Sequence, residues 1–206
     1  MAYSDFSLVA VKDVFGLVLN ESTSLFAEVA EVAPSDFLTQ ALSEYLSLAT
    51  SIGTEKARSE FLIAPVLAEV RRQLKHQVAL FSGTEFNVDK EKGLYGFCDF
   101  LMCRSKEQLF ISAPVMTLVE AKKEDIIGGL GQCIASMIAT QLFNQKQQVT
   151  IDVSYGAVIT GTNWRFLTLQ GNQVKIDATE YYIKEIDKIL AILLLLFKQV
   201  PTAVVV

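Results

Sequence analysis

The chain has 206 residues, 51% apolar and 20% charged, with a formal charge of −5 at pH 7, which excludes intrinsic disorder and a histone-like basic protein. Residues 1–50 hold one base, Lys12, and seven acids, whereas the remainder holds 17 bases and 16 acids, so charge argues against a nucleic-acid partner only for the N-terminal quarter. Three cysteines (Cys98, Cys103, Cys133) and a single histidine (His76) exclude a disulfide scaffold and a His-rich zinc site; they point to a reducing, cytoplasmic compartment and leave hard cations on oxygen ligands as the metal chemistry.

Residues 1–53 read as an acidic, helical N-terminal extension packed on a core that spans 54–206. Pro34-Ser35-Asp36 marks a helix start, Gly53 a stop and Thr54 the next N-cap. A helix from about Glu55 to Lys75 follows, with Leu62, Val66, Val70 and Leu74 at every fourth residue. Pro65 lies inside it and should kink or divide it. His76 is expected to be exposed at its end. The pattern then turns to strands: Val78–Phe81, Glu85–Val88, Leu94–Cys103 and Leu109–Val119 read as an antiparallel meander, with Pro114 at an edge or bulge. A long helix from about Ile126 to Gln147 comes next. Strands are predicted at Tyr155–Gly161, Trp164–Gln170 and Val174–Asp177, then a last helix at Thr179–Val200. The tail Thr202–Val206 is predicted to add an edge strand or fray. The longest apolar run, Ile189–Phe197, is too short to span a bilayer, and no targeting segment or membrane association is expected. The fold class is α/β, a central mixed sheet flanked by helices.

The most informative stretch is Val115-Met116-Thr117-Leu118-Val119-Glu120-Ala121-Lys122-Lys123-Glu124. An apolar strand ends in Glu-x-Lys, and in a strand Glu120 and Lys122 share a face. Such a pair can hold a divalent cation and position a water beside it; alone, it is more often a solvated strand end. Upstream, Asp99 is a lone acid in the apolar strand Gly96-Phe97-Cys98-Asp99-Phe100, and a buried carboxylate needs a partner or a metal. Downstream, Gln132, Ser136 and Thr140 form a polar stripe on the long helix, and Gln132 is close enough to its start to reach the Glu120 strand. The glycines of Gly128-Gly129-Leu130-Gly131 are not followed by Lys-Ser/Thr, so they make no phosphate loop of the P-loop type. Arg71, Arg72 and Lys75, with Lys90 and Lys92, read first as solvated helix-end and turn charges and second as phosphate contacts. Trp164 reads as packing under the final helix ahead of stacking on a base.

The order of these features resembles the PD-(D/E)XK nuclease superfamily, the restriction-endonuclease-like fold. The resemblance covers about Glu55 to Asp177 and rests on Gly96–Phe100, Val119-Glu120-Ala121-Lys122, Gly131-Gln132 and the strand pair Gly156–Phe166, with Cys98 where the superfamily name has Pro. It implies that Asp99 and Glu120 ligate a divalent metal, Mg²⁺ with Mn²⁺ able to substitute. It implies that Lys122 activates the attacking water and that Gln132 supports it. Glu60 would be the helix-borne acid, with Glu55 as the alternative. The implied activity is metal-dependent phosphodiester hydrolysis, on DNA ahead of RNA; the alternative is a catalytically inactive module of the same fold that binds nucleic acid or protein. The acidic, apolar N-terminal segment is compatible with a protein partner or a homodimer.

Overall fold

The computed structural model describes residues 2–122, 125–198 and 202–203. A short 3₁₀ turn, Tyr3–Asp5, leads into α1 (Leu8–Phe15), capped by Ser7 Oγ, which accepts from Ala10 N at 3.2 Å. Next comes β1 (Val18–Asn20), so residues 1–53 are not helical throughout. α2 (Asp36–Ile52) starts and stops at the expected signals: Ser35 caps Leu38 N, Gly53 follows the last turn, and Thr54 caps the next segment through Ala57 N.

The helix expected over 55–75 is divided. α3 (Glu55–Arg58) widens into a π turn at Ser59–Ile63, where Ala64 N donates to Ser59 O, and α4 (Ala64–Gln73) follows with Pro65 in its first turn. Pro65 has no N–H and its ring crowds the carbonyl four residues back, which the extra residue in the preceding turn relieves.

The rest runs β2 (Ala79–Glu85), β3 (Phe97–Cys103), β4 (Val115–Ala121), α5 (Ile126–Lys146), β5 (Val149–Thr150), β6 (Ser154–Ile159), β7 (Asn163–Gln170), β8 (Gln173–Ile176), β9 (Tyr181–Tyr182), α6 (Ile186–Leu196) and β10 (Thr202–Ala203). Eight strands make one mixed sheet in the order β1-β8-β7-β6-β4-β3-β2, with β9 on β7, while β5 and β10 pair separately. β2, β3 and β4 form an antiparallel meander, and α5 returns the chain so that β6 lies parallel to β4.

Helices cover both faces of the sheet, giving three layers. Leu130, Ile134 and Met137 of α5 pack with Val11 of α1 and Val158 of β6 on one side. Val66 and Val70 of α4 pack with Ile189 and Leu193 of α6 and with Trp164 on the other. Trp164 is therefore core, as its sequence context suggested. By length and composition α5 is the one helix among the described residues that is apolar enough to cross a membrane, but most of it is buried inside the protein.

Several boundaries differ from the sequence expectation. β2 runs unbroken through Ser82-Gly83, where a turn was expected; Gly83 has φ +57° and bends the strand without reversing it. β4 begins at Val115 rather than Leu109, and Leu109 and Phe110 are exposed. Pro114 has no N–H for a ladder, and Val115 is instead tied to the buried Asn144 side chain, which accepts from its N and donates to its O, both at 2.9 Å. The last helix begins late because Tyr181–Tyr182 pairs with β7 first, and its expected end at Gln199–Val200, like Val204–Val206, lies outside the described residues.

The N-terminus is held as a strap. Tyr3 N donates to Tyr95 O at 3.0 Å and Tyr3 Oη to Phe86 O at 2.6 Å. Its backbone then crosses α5 at Gly131, where a Cβ would collide with the Phe6 carbonyl and with the backbone of Ser7 and Leu8. In a free helix Gly→Ala gains up to about 1 kcal/mol. Here the obstacle is backbone, so Gly131→Ala should destabilise by about 2 kcal/mol and lower the thermal midpoint by several degrees. Denaturant unfolding checks this; an unchanged or higher stability would show that the strap is not seated there.

Candidate active site

The register of β3 on β4 pairs Phe100 with Val119, which sets Asp99 across from Glu120. Asp99 Oδ2 accepts from Ala121 N at 2.8 Å, so its carboxylate is fixed at the end of β4. Lys122 N donates to Ile159 O at 2.8 Å, carrying the β4–β6 pairing one residue past the strand. Lys122 Nζ lies 2.7 Å from Glu120 Oε1 and donates to Gln132 Oε1 at 3.1 Å, so Gln132 reaches the cluster from the start of α5. The structure thus brings four sequence-predicted residues together from β3, β4 and α5. Lys123 and Glu124, the rest of the charge run, lie outside the described residues.

Two charges are held under tension here. Glu120 keeps 6% of its side-chain exposure, and burial pushes its carboxyl up to about 8; the neighbouring Asp99 carboxylate adds to the rise and Lys122 offsets part of it. For Lys122 burial favours the neutral amine, but Glu120 outweighs it and keeps the ammonium charged, with Asp99 in support. The lysine is a point charge held between an acid and an amide, and among the described residues one of its three N–H bonds is left for a third partner.

Both acids weighed for the helix-borne position line one hollow. A hollow of about 260 Å³ beside Asp99 and Ala121 is lined by Glu55, Lys56, Ser59 and Glu60, with Ser82 and Gly83 opposite. Glu60 is half exposed and paired with Lys56 at 2.8 Å, whereas Glu55 is the acid whose field reaches Lys122. The π turn ahead of Pro65 is what carries this stretch, a feature of helices that recurs at functional sites.

Comparison of the chain with family models, with curated proteins and with solved structures returns no match.

Nucleophilic thiol chemistry does not fit. Cys98, Cys103 and Cys133 are buried, and burial holds the thiols of Cys98 and Cys103 up at about 12 and that of Cys133 higher still. His76 is exposed beyond α4, with its Nδ1 2.6 Å from Arg71 Nη1. A hard cation does fit. Among the described residues no three carboxylate, thiol or imidazole groups form a preformed cage. Mg²⁺ needs none: one or two carboxylates, water and substrate phosphate suffice. Asp99 and Glu120 supply two, and a divalent cation would offset both the burial that lifts Glu120 and the repulsion from Asp99 that adds to it.

Other sequence readings resolve differently. The polar stripe of α5 runs into the core beyond Gln132: Ser136 and Thr140 are both buried, and Thr140 Oγ1 donates to Ser136 O at 3.1 Å, satisfying itself within α5. Arg72 is paired with Glu69 at 2.7 Å, Arg71 donates to Val78 O, and Lys92 meets Asp89 at 3.5 Å, so these are structural charges. Sequence reasoning missed Gly129. A Cβ there would stand 2.9 Å from Lys122 Cγ and 2.6 Å from Val158 Cγ1, so the glycine makes room for the lysine stem between α5 and β6. Its only signal was a Gly pair inside a helix start, where glycine is otherwise unfavourable.

Proposed function

We propose that this protein is a Mg²⁺-dependent nuclease with a restriction-endonuclease-like core, acting on DNA ahead of RNA. The reading is carried by one observation: Asp99, Glu120, Lys122 and Gln132 converge at the end of β4, with Lys122 Nζ 2.7 Å from Glu120 and 3.1 Å from Gln132. The order of elements supports it: a helix with acids, an antiparallel meander, a helix, and a strand parallel to the last strand of the meander.

Asp99 and Glu120 would hold the cation. When bound, it supplies charge neutralisation at the phosphate and a water of lowered pKa. Asp99 is kept in place by Ala121 N, so its carboxylate is oriented before substrate arrives. Lys122 is kept charged and aimed by Glu120 and Gln132, and its remaining N–H stabilises negative charge as it develops on the phosphate oxygens. Glu55 and Glu60 add negative potential at the cleft wall.

Calorimetric titration with Mn²⁺ and then Mg²⁺ tests this. Wild type should bind one ion, and Asp99→Ala/Glu120→Ala should not. Because the cation displaces the Glu120 proton, affinity should rise as pH climbs toward about 8, with proton release shown by a buffer-dependent heat. The ion must also support cleavage of plasmid or duplex DNA. Metal-independent binding of nucleic acid or protein, without cleavage, would replace the nuclease with a non-catalytic module of this fold.

A further inference from the structure

We infer that the hollow beside the end of β6 is a second phosphate subsite of the substrate strand, with Arg58 as its anchor; this rests on the nuclease reading above. Thr160 follows Ile159, the residue that pairs with Ala121 and accepts from Lys122 N, so the hollow lies one strand over from Lys122. It measures about 390 Å³, and Arg58, Thr160, Thr162 and Asn163 line it with the start of α5. Arg58 is fixed there. Its Nη1 donates to Thr160 O at 3.0 Å, and its stem lies on Gly161, where a Cβ would stand 2.8 Å from Arg58 Cβ. Its Nε is buried and has no hydrogen-bond partner among the described residues, so what it offers a ligand is the part of the guanidinium that lines the hollow. A phosphate oxygen is the acceptor that suits that group best.

The start of α5 also opens on the hollow, and the positive end of a helix favours an anion. Two acids line it as well: Asp125 is turned to capping α5 through Gly128 N at 2.8 Å, and Arg165, 3.6 Å from Glu180, offsets that charge. Thr162 and Asn163 have side chains with no hydrogen bond among the described residues, so both are free to donate to phosphate oxygens. A strand whose scissile phosphate sits at Asp99 and Lys122 would place a neighbouring phosphate over Arg58. Arg58 is then a substrate-positioning residue that acts on binding more than on chemistry.

The test uses full-length protein and a fluorescein-labelled duplex DNA, with Ca²⁺ in place of Mg²⁺ to suppress cleavage. Anisotropy is followed over a salt series for wild type, Arg58→Lys and Arg58→Ala, with unfolding curves confirming that each variant is folded. Arg58→Ala should weaken binding about tenfold and reduce the salt slope by about 1, and Thr162→Ala should weaken it less. Arg58→Lys should recover part of the affinity and most of the slope. In Mg²⁺, KM for DNA should rise in Arg58→Ala while kcat falls by less than about threefold. Arg58→Ala with wild-type affinity and slope would overturn the subsite and leave the nuclease reading standing. Wild type that neither binds nor cleaves DNA would overturn both.

Discussion

Lys122→Ala is expected to lower the rate of Mg²⁺-dependent DNA cleavage by about 10²–10³-fold while the protein stays folded. The lysine is held by Glu120 and Gln132 rather than by the core, and a quarter of its side chain is exposed. Its loss removes a preorganised positive charge at the phosphate. Glu120 loses its partner, but a carboxyl already pushed up to about 8 protonates further instead of standing as an unpaired charge. Glu120→Gln gives the complementary result. An acid whose folded pKa lies above its unfolded value binds more protons in the native state, so its contribution to stability is greatest below the unfolded value of about 4.3 and declines as pH rises toward about 8. Glu120→Gln removes that decline, so it should be inactive and, without divalent ions, melt higher than wild type at pH 8. Activity within about threefold of wild type in Lys122→Ala would remove the lysine from the mechanism. A lower melt for Glu120→Gln at pH 8 would show that the ion pair with Lys122 outweighs the burial of the acid.

Glu69→Ala is expected to destabilise the fold by about 3 kcal/mol without touching the site. Glu69 is 3% exposed yet charged. It accepts from Arg72 at 2.9 and 2.7 Å, from Gln73 at 2.8 Å, and from Ser35 N and Oγ at 3.2 and 2.9 Å. Ser35 is the cap of α2, so one carboxylate ties the start of α2 to α4. Burial alone would raise its pKa, but the hydrogen bonds from Arg72, Gln73 and Ser35 win and hold it at about 2. The sign is opposite to that of Glu120. The stabilisation is complete above the unfolded pKa of about 4.3 and is lost as pH falls through the folded value. Denaturant midpoints of wild type should therefore drop between about pH 4.5 and 2, and Glu69→Gln should flatten that drop. A Glu69→Ala variant within 1 kcal/mol of wild type would show that Ser35 and Arg72 are satisfied equally well by water.

The parts of the fold that were legible in the sequence are those written in local chemistry. The caps of α2 and α3, the extent of α5 and the alternation that puts Glu120 and Lys122 on one face each follow from neighbouring residues. Asp99 was legible because a single acid in an apolar strand has few bland explanations. What stayed hidden depends on contacts between distant segments. Val18–Asn20 is too short to announce itself and becomes a strand only because β8 offers an edge. Glu69 and Arg72 look like the solvated face of a helix until α2 covers the acid. The burial of Ser136 and Thr140 is set by the neighbours of α5, which enclose most of that helix. Ser82-Gly83 looks like a hairpin turn, but one glycine at positive φ only bends a strand whose neighbour continues past it. Arg58 carried no signal of its own, since its place against Thr160 and Gly161, 102 residues away at the Thr160 carbonyl, exists only in the fold.

The pairing of β1 with β8 has a consequence for how the chain is made. Val18 pairs with Gln173 and Asn20 with Lys175, and the strap that precedes them rests on Tyr95 and Gly131. During synthesis this segment emerges well before the strand it pairs with. At roughly 5–20 residues per second, β1 waits on the order of 10–30 s for its partner to be translated. Over that interval Leu17, buried in the finished fold, has no core to enter.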